Sequence, residues 1–132
     1  MQPQLKAIQL IAAFIKEKIG IAVTLSPLPE DGGTTIEVTA GRTVAISLDR
    51  KHQQKALPLM VLCKNKDQFT AMDTVAKIGN CLSSAAELPS DEDVQLMSAV
   101  SKSDVNMVNK VGDYWIYSAI IDINIFYEIK EN

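Results

Sequence analysis

Alternation is strongest near the end of the chain. Trp115, Tyr117, Ala119, Ile121, Ile123, Ile125, Tyr127 and Ile129 take every odd position, while Tyr114, Ser118, Asp122, Asn124 and Glu128 fall between them with Ile116, Ile120 and Phe126. A period of two marks a β-strand with one apolar face. Typical strands run ~5–6 residues, so this one is far longer than usual. At roughly 3.3 Å per residue it reaches about 50 Å, against a radius of gyration of about 14 Å for a globule of this length. The expectation is a strand that bends, or that projects past its own core to meet a partner.

The opening of the chain has a different period. Leu5, Ile8, Ala12, Ile15 and Ile19 recur at spacings of three and four, which predicts an α-helix, with Pro3 in its first turn and Gly20 at its stop. Leu10, Ile11 and Phe14 widen the apolar arc, so this helix needs cover on more than one side, from its own domain or from a neighbouring subunit. Ile21 to Leu25 predicts a short strand ended by Ser26, Pro27 and Pro29. Two alternating runs follow, Thr34 to Thr39 and Thr43 to Asp49, joined by Ala40-Gly41-Arg42, and together they predict a β-hairpin.

Asp49 to Lys55 reads as a polar loop, and Leu57 to Cys63 as a strand buried on both faces, with Pro58 marking an edge or bulge. Lys64-Asn65-Lys66-Asp67 is an exit turn in which Asn65 or Asp67 can cap the next helix. That helix carries Phe69, Met72, Val75 or Ala76, Gly79 and Leu82 on one face and runs to about Ser83. Leu88-Pro89-Ser90 breaks it. Val94 to Val100 predicts a strand, Val105 to Val111 fits another, and Lys102 to Asn109 shows no clear period. The pattern specifies one domain over residues 1–132 of the α+β class. Its mainly antiparallel sheet has about five to six strands, with the two principal helices packed on one face.

Composition agrees with a globular domain: 132 residues, 47% hydrophobic and 22% charged, with a net charge of −3. No basic excess exists for general nucleic-acid binding. The apolar run Ala7 to Phe14 is too short to span a membrane and is followed by Lys16, Glu17 and Lys18 rather than a cleavage site, so it reads as part of the mature, intracellularly made protein.

Little chemistry is expected. No phosphate-binding glycine loop or nucleophile elbow occurs, and no residue is assigned a catalytic, cofactor-binding or metal-binding role. Cys63 and Cys81 lack paired metal-ligand spacing and read as buried reduced thiols. His52 reads as a solvated loop histidine. Asp91, Glu92 and Asp93 read as a polar break, since neighbouring carboxylates on a strand point apart. Asp31-Gly32-Gly33 reads as a plain turn. Arg50, Lys51, Lys55, Lys64 and Lys66 form a solvated rim without interleaved aromatics, and Tyr114, Trp115 and Tyr117 read as core packing.

The segment Leu57 to Gln68, with its turn Lys64-Asn65-Lys66-Asp67 leading into a helix that opens on Gln68 and runs to Leu82, resembles the middle of bacteriophage minor capsid and tail-terminator (head–tail joining) proteins. The first helix ending at Ile19-Gly20, the hairpin, and the late strand with Trp115 and Tyr117 follow the same order; Lys102 to Val111 has no counterpart there. The resemblance implies a non-enzymatic virion protein, made in the host bacterial cytoplasm. It would form a homo-oligomeric ring, commonly a hexamer, that caps the tail tube and meets the head connector. It implies no cofactor, no membrane and no specific nucleic-acid binding, although DNA passes through such a ring. A second reading is a small adaptor that captures a peptide by strand addition at the edge of the long terminal strand. On these readings, deleting Ile123 to Asn132 abolishes ring formation in the first case and peptide capture in the second.

Overall fold

A computed structural model describes residues 2–25, 27–38 and 41–129. The elements are α1 (Pro3–Ile19), β1 (Gly33–Val38), β2 (Arg42–Ile46), β3 (His52–Asn65), α2 (Gln68–Ser83), β4 (Gln95–Val111) and β5 (Tyr114–Glu128). All strand pairings between these elements are antiparallel, in the order β1-β3-β5-β4, with β2 also pairing with β3. The α+β class, the antiparallel sheet of five strands and the two helices on one face match the sequence reading.

The terminal strand is central rather than overhanging. β3 runs beside it from His52 opposite Glu128 to Asn65 opposite Trp115, and β4 covers its other edge from Gln95 opposite Phe126 to Val111 opposite Tyr114. Its length is matched by long neighbours, so it needs no bend or outside partner. The alternation itself is as read. Tyr117, Ala119, Ile121, Ile123, Ile125 and Tyr127 are buried under the helices, and the even positions form the opposite face.

Residues 34–48 do not form the expected hairpin. β1 and β2 lie end to end along the same edge of β3, β1 opposite Leu59 to Lys64 and β2 opposite Gln53 to Ala56. The two registers leave out Leu57 and Pro58. Proline has no N–H to offer an edge strand, which suits a break at that point. Of the expected connection, Thr39 and Ala40 lie outside the described residues. Gly41 runs so close to β3 that an added Cβ would come within 2.6 Å of Leu57 Cδ2 and 3.2 Å of the Ala56 carbonyl. The hairpin is instead β2–β3. Its turn is closed by Ser47 N–H to the His52 carbonyl (3.0 Å) and Arg50 N–H to the Ser47 carbonyl (2.9 Å), with Arg50 at φ 57°. Asp49 accepts from the Lys51 N–H at 3.0 Å inside it. The expected loop Asp49 to Lys55 therefore ends at Lys51. The polar residues Gln53, Gln54 and Lys55 are held in strand by partners on both sides.

Four further corrections follow from packing. Ile21 to Leu25 is not a strand: Thr24 makes one parallel bridge to Thr35, and Ser26 lies outside the described residues. β3 is buried chiefly on one face, through Leu57, Leu59, Val61 and Cys63, because both helices lie on that side; on the other face Ala56 is buried while Pro58, Met60 and Leu62 are half-buried. In α1 the buried stripe is Ala7, Ile11, Phe14 and Ile15, not the one through Leu5 and Ile19. The helix is apolar over a wide arc, and small Ala7 lets the chosen side approach closely. In α2 the buried stripe is Ala71, Val75, Ile78 and Leu82, which leaves Phe69 76% exposed.

β4 joins both strands expected after Val94 into one element of 17 residues. Its register slips between Leu96 and Ser98, Ser101 and Ser103, Ser103 and Asn106, and Met107 and Asn109. Each slip resets the period, which is why Lys102 to Asn109 showed none.

Candidate interaction surfaces

The face of the sheet away from the helices has no helix over it. Met60, Leu62, Ile116 and Ile120 are half-buried there, with buried Ser118 and Asp122 beside them on β5. Polar side chains stitch β4 to β5 along this face. Asn124 donates to Ser98 Oγ at 3.0 Å, Ser118 Oγ meets Asn106 Oδ1 at 3.4 Å, and the Ile120 N–H donates to Ser103 Oγ at 3.2 Å. Lys102 Nζ lies 3.6 Å from Asp122 Oδ2. The bonds of Ser98, Ser103 and Asn106 fall at the register slips and supply partners where the backbone ladder is interrupted.

The lysines read as one loose rim separate into two groups. Arg50 and Lys51 belong to the β2–β3 turn and Lys55 to the near end of β3, whereas Lys64 and Lys66 lie at the far end. There Lys64 and Lys66 stand over the Tyr114 ring at 5.1 and 5.5 Å, and Lys110 stands over Trp115 at 4.7 Å. Aromatics do interleave with lysines at this end, contrary to the sequence reading. The Tyr114 contacts join residues some fifty positions apart that the β3–β5 pairing brings together, whereas Lys110 meets Trp115 across the β4–β5 hairpin. The aromatic faces are as read: Tyr117 is buried, Trp115 shares its side, and Tyr114 points the other way.

The acidic run is a capping device. Asp91 Oδ1 accepts from the N–H groups of Asp93 (2.8 Å) and Val94 (2.9 Å). Lys6 of α1 contacts the Asp93 carboxylate and lies 3.6 Å from Asp91. The Asp93 N–H leads the causes that hold the Asp91 carboxyl below the usual range, and the bond to Asp93 raises the Lys6 ammonium. Among the described residues, no group of three or more His, Cys, Asp or Glu lies close enough to hold a metal ion.

His52 is not in a solvated loop. It opens β3, half-buried, with its ring stacked on Phe126 at 5.3 Å and 2° between planes. Cys63 is a buried free thiol that accepts from Thr34 Oγ1 at 3.6 Å. Cys81 is only half-buried, and burial still pushes its thiol up. Asp31-Gly32-Gly33 is a turn into a strand, as read, closed by Gly32 N–H to the Pro29 carbonyl at 3.2 Å. Among the described residues, no helix is long and apolar enough to cross a membrane.

A groove of about 540 Å³ opens between α2 and β4, lined by Phe69, Thr70, Met72, Asp73, Ala76 and Val105. On the opposite edge of the sheet, all five residues of β2 are exposed.

These features define an α+β fold with one long-stranded antiparallel sheet, helices on one side and uncovered apolar surface elsewhere. A chain in the virion of a native gene transfer agent (GTA) particle has a similar fold, at 18% identity and TM-score 0.50, over 96% of this chain and 90% of that one. At that identity the likeness is one of fold. No protein-family model and no curated protein matches the chain.

Proposed function

We propose that this chain is a structural virion protein of a tailed bacteriophage, made in the bacterial cytoplasm and acting by assembly rather than catalysis. Within that class we assign it to the neck. It is a tail terminator or minor capsid protein whose copies form a ring, commonly of six, that caps the tail tube and meets the head connector. The observation that carries the reading is the fold likeness to a virion chain over nearly the full length of both chains. The resemblance of Lys64 to Gln68 and of Trp115 with Tyr117 to head–tail joining proteins points the same way. The net charge of −3 suits a conduit that DNA passes without sticking.

The test is light scattering after size exclusion over a wide concentration range, with and without purified tail tubes. A closed ring, alone or on tube ends, supports the reading. A chain that stays monomeric and leaves tube ends bare overturns it.

The adaptor reading loses its stated receiving edge, because β5 is paired on both sides. The deletion of Ile123 to Asn132 likewise removes part of the central strand, so loss of either activity would report unfolding. Peptide capture would have to use β2 or β4, and one-to-one binding without self-association would favour it.

A further inference from the structure

The two helices are fastened to the domain in different ways. α2 packs against β3, β4 and β5, and its first turn is fixed by the Asp67 cap and by the bond from Gln68 to Tyr117. α1 packs chiefly beside α2 and at β1. Its first turn has no acidic residue, and Gln2 gives it no side-chain cap. The stripe of Ala7, Ile11, Phe14 and Ile15 is its apolar attachment. Among the described residues, Lys6 makes the only side-chain hydrogen bond or ion pair from α1 to the rest of the chain, to Asp93 and Asp91. That acceptor is preorganised, because Asp91 is itself held by the N–H groups of Asp93 and Val94. The other end of α1 stops at Gly20, at φ 72°, where an added Cβ would meet nothing within 4 Å. Ile21 and Val23 then pack against the core, and Thr24 is bonded to β1: its N–H donates to the Thr34 carbonyl at 2.9 Å and its carbonyl accepts from the Ile36 N–H at 3.1 Å. A helix of 17 residues is about 25 Å long. The polar contact and the open glycine joint thus lie near opposite ends of one rod.

We propose that α1 is a strap, hinged at Gly20 and latched at Lys6, that swings off the domain while α2 and the sheet stay folded. Proteins open in cooperative units, and the units that open first are those with the fewest buried contacts. Hinges are a few element-terminal positions that absorb a change of backbone angle, and Gly20 is such a position. Opening α1 releases one apolar stripe and one latch. It leaves every strand pairing in place, because α1 supplies no strand and the Thr24 bridge lies beyond the hinge. α2 has no such freedom, since it is tied at both ends to long strands, β3 before it and β4 after it, and its first residue is bonded to β5. The latch sets one ammonium against two carboxylates, so its strength is electrostatic and its loss acts on α1 alone. The strap is a property of the single chain and does not require a ring.

The experiment is native-state hydrogen exchange read by mass spectrometry, on the full-length chain at low concentration and neutral pH, with Lys6→Met beside the wild type. In the wild type the amides of residues 8–19 should exchange at least ~tenfold faster than those of residues 72–82. Lys6→Met should speed the α1 amides by a further ~two- to fivefold and leave those of α2 and β5 unchanged. If α1 and α2 of the wild type exchange at one common rate, α1 belongs to the global unit and there is no strap. If α1 opens ahead of α2 but Lys6→Met leaves its rate unchanged, or speeds both helices alike, the latch is overturned.

Discussion

The side-chain amide of Gln68 donates to the Tyr117 hydroxyl at 2.7 Å, joining the first residue of α2 to the central strand. Two of the segments that carry the family resemblance are thus in direct contact. Asp67 caps the same turn, accepting from the Phe69 N–H at 3.1 Å and from Thr70 Oγ1 at 2.8 Å. The cap and this bond together fix the rotation of α2, which turns Ala71 and Val75 inward and Phe69 outward. Tyr117→Phe removes the acceptor and keeps the ring, so the expected cost is about 0.5–1.5 kcal/mol in urea unfolding. A neutral result would mean that the cap alone sets the helix.

The two faces of β5 should differ in their tolerance of truncation. Ile123 is fully buried beneath the helices, and Ile123→Ala is expected to cost about 2–5 kcal/mol. Ile120 is half-buried on the uncovered face, and Ile120→Ala should cost well under half as much for the isolated chain. Equal losses in chemical denaturation would contradict the assignment of faces.

Two glycines with positive φ separate conformational strain from crowding. Gly112 has φ 60° and open space around it, so Gly112→Ala costs about 1–2 kcal/mol for the left-handed backbone alone, and Gly112→Asn less. Gly32 has φ 91°, and an added Cβ would lie 2.8 Å from the Lys64 carbonyl and 3.2 Å from the Tyr114 ring. Gly32→Ala should therefore lower the melting temperature by clearly more than Gly112→Ala.

The Lys6 contact with Asp91 and Asp93 predicts a pH dependence. The Asp91 carboxyl is held low, so its contribution is present above the ordinary carboxylate pKa and is lost as pH falls through its lowered value. Lys6 is raised, so its contribution is complete below the ordinary lysine pKa and is lost as pH rises through its raised value. Lys6→Met should thus be less stable than wild type near neutrality, and the gap should close in acid. Melting temperatures of both chains from neutral pH to pH ~2 would check this.

Much of the fold was legible because periodicity reports directly on burial. The odd positions of β5, the limits of α1 and the cap at Asp67 all appeared as local patterns. What was not legible depended on partners distant in sequence. Gln53 to Lys55 are polar and became strand only because β2 and β5 flank them. Val44 and Ile46 alternate as in a core-facing hairpin, yet they pair with β3 rather than with β1. Ile11, Phe14 and Ile15 in α1 and Val75 and Leu82 in α2 are buried as read, while Leu5, Ile19 and Phe69 of the expected stripes face outward. The lysine–aromatic contacts required the β3–β5 register at Tyr114 and the β4–β5 register at Trp115.

The central place of β5 has a consequence for biosynthesis. Ribosomes deliver this strand after every other described element, yet β3 and β4 both bond to it and α2 packs on it. Until it emerges, the nascent chain holds β3 and β4 with open edges and an incomplete core. Pairings between distant segments form slowly, and unpaired strand edges are prone to aggregate. The core should therefore close only once β5 has been made, and ribosome-stalled chains ending before Tyr114 should remain protease-sensitive where the 132-residue chain resists.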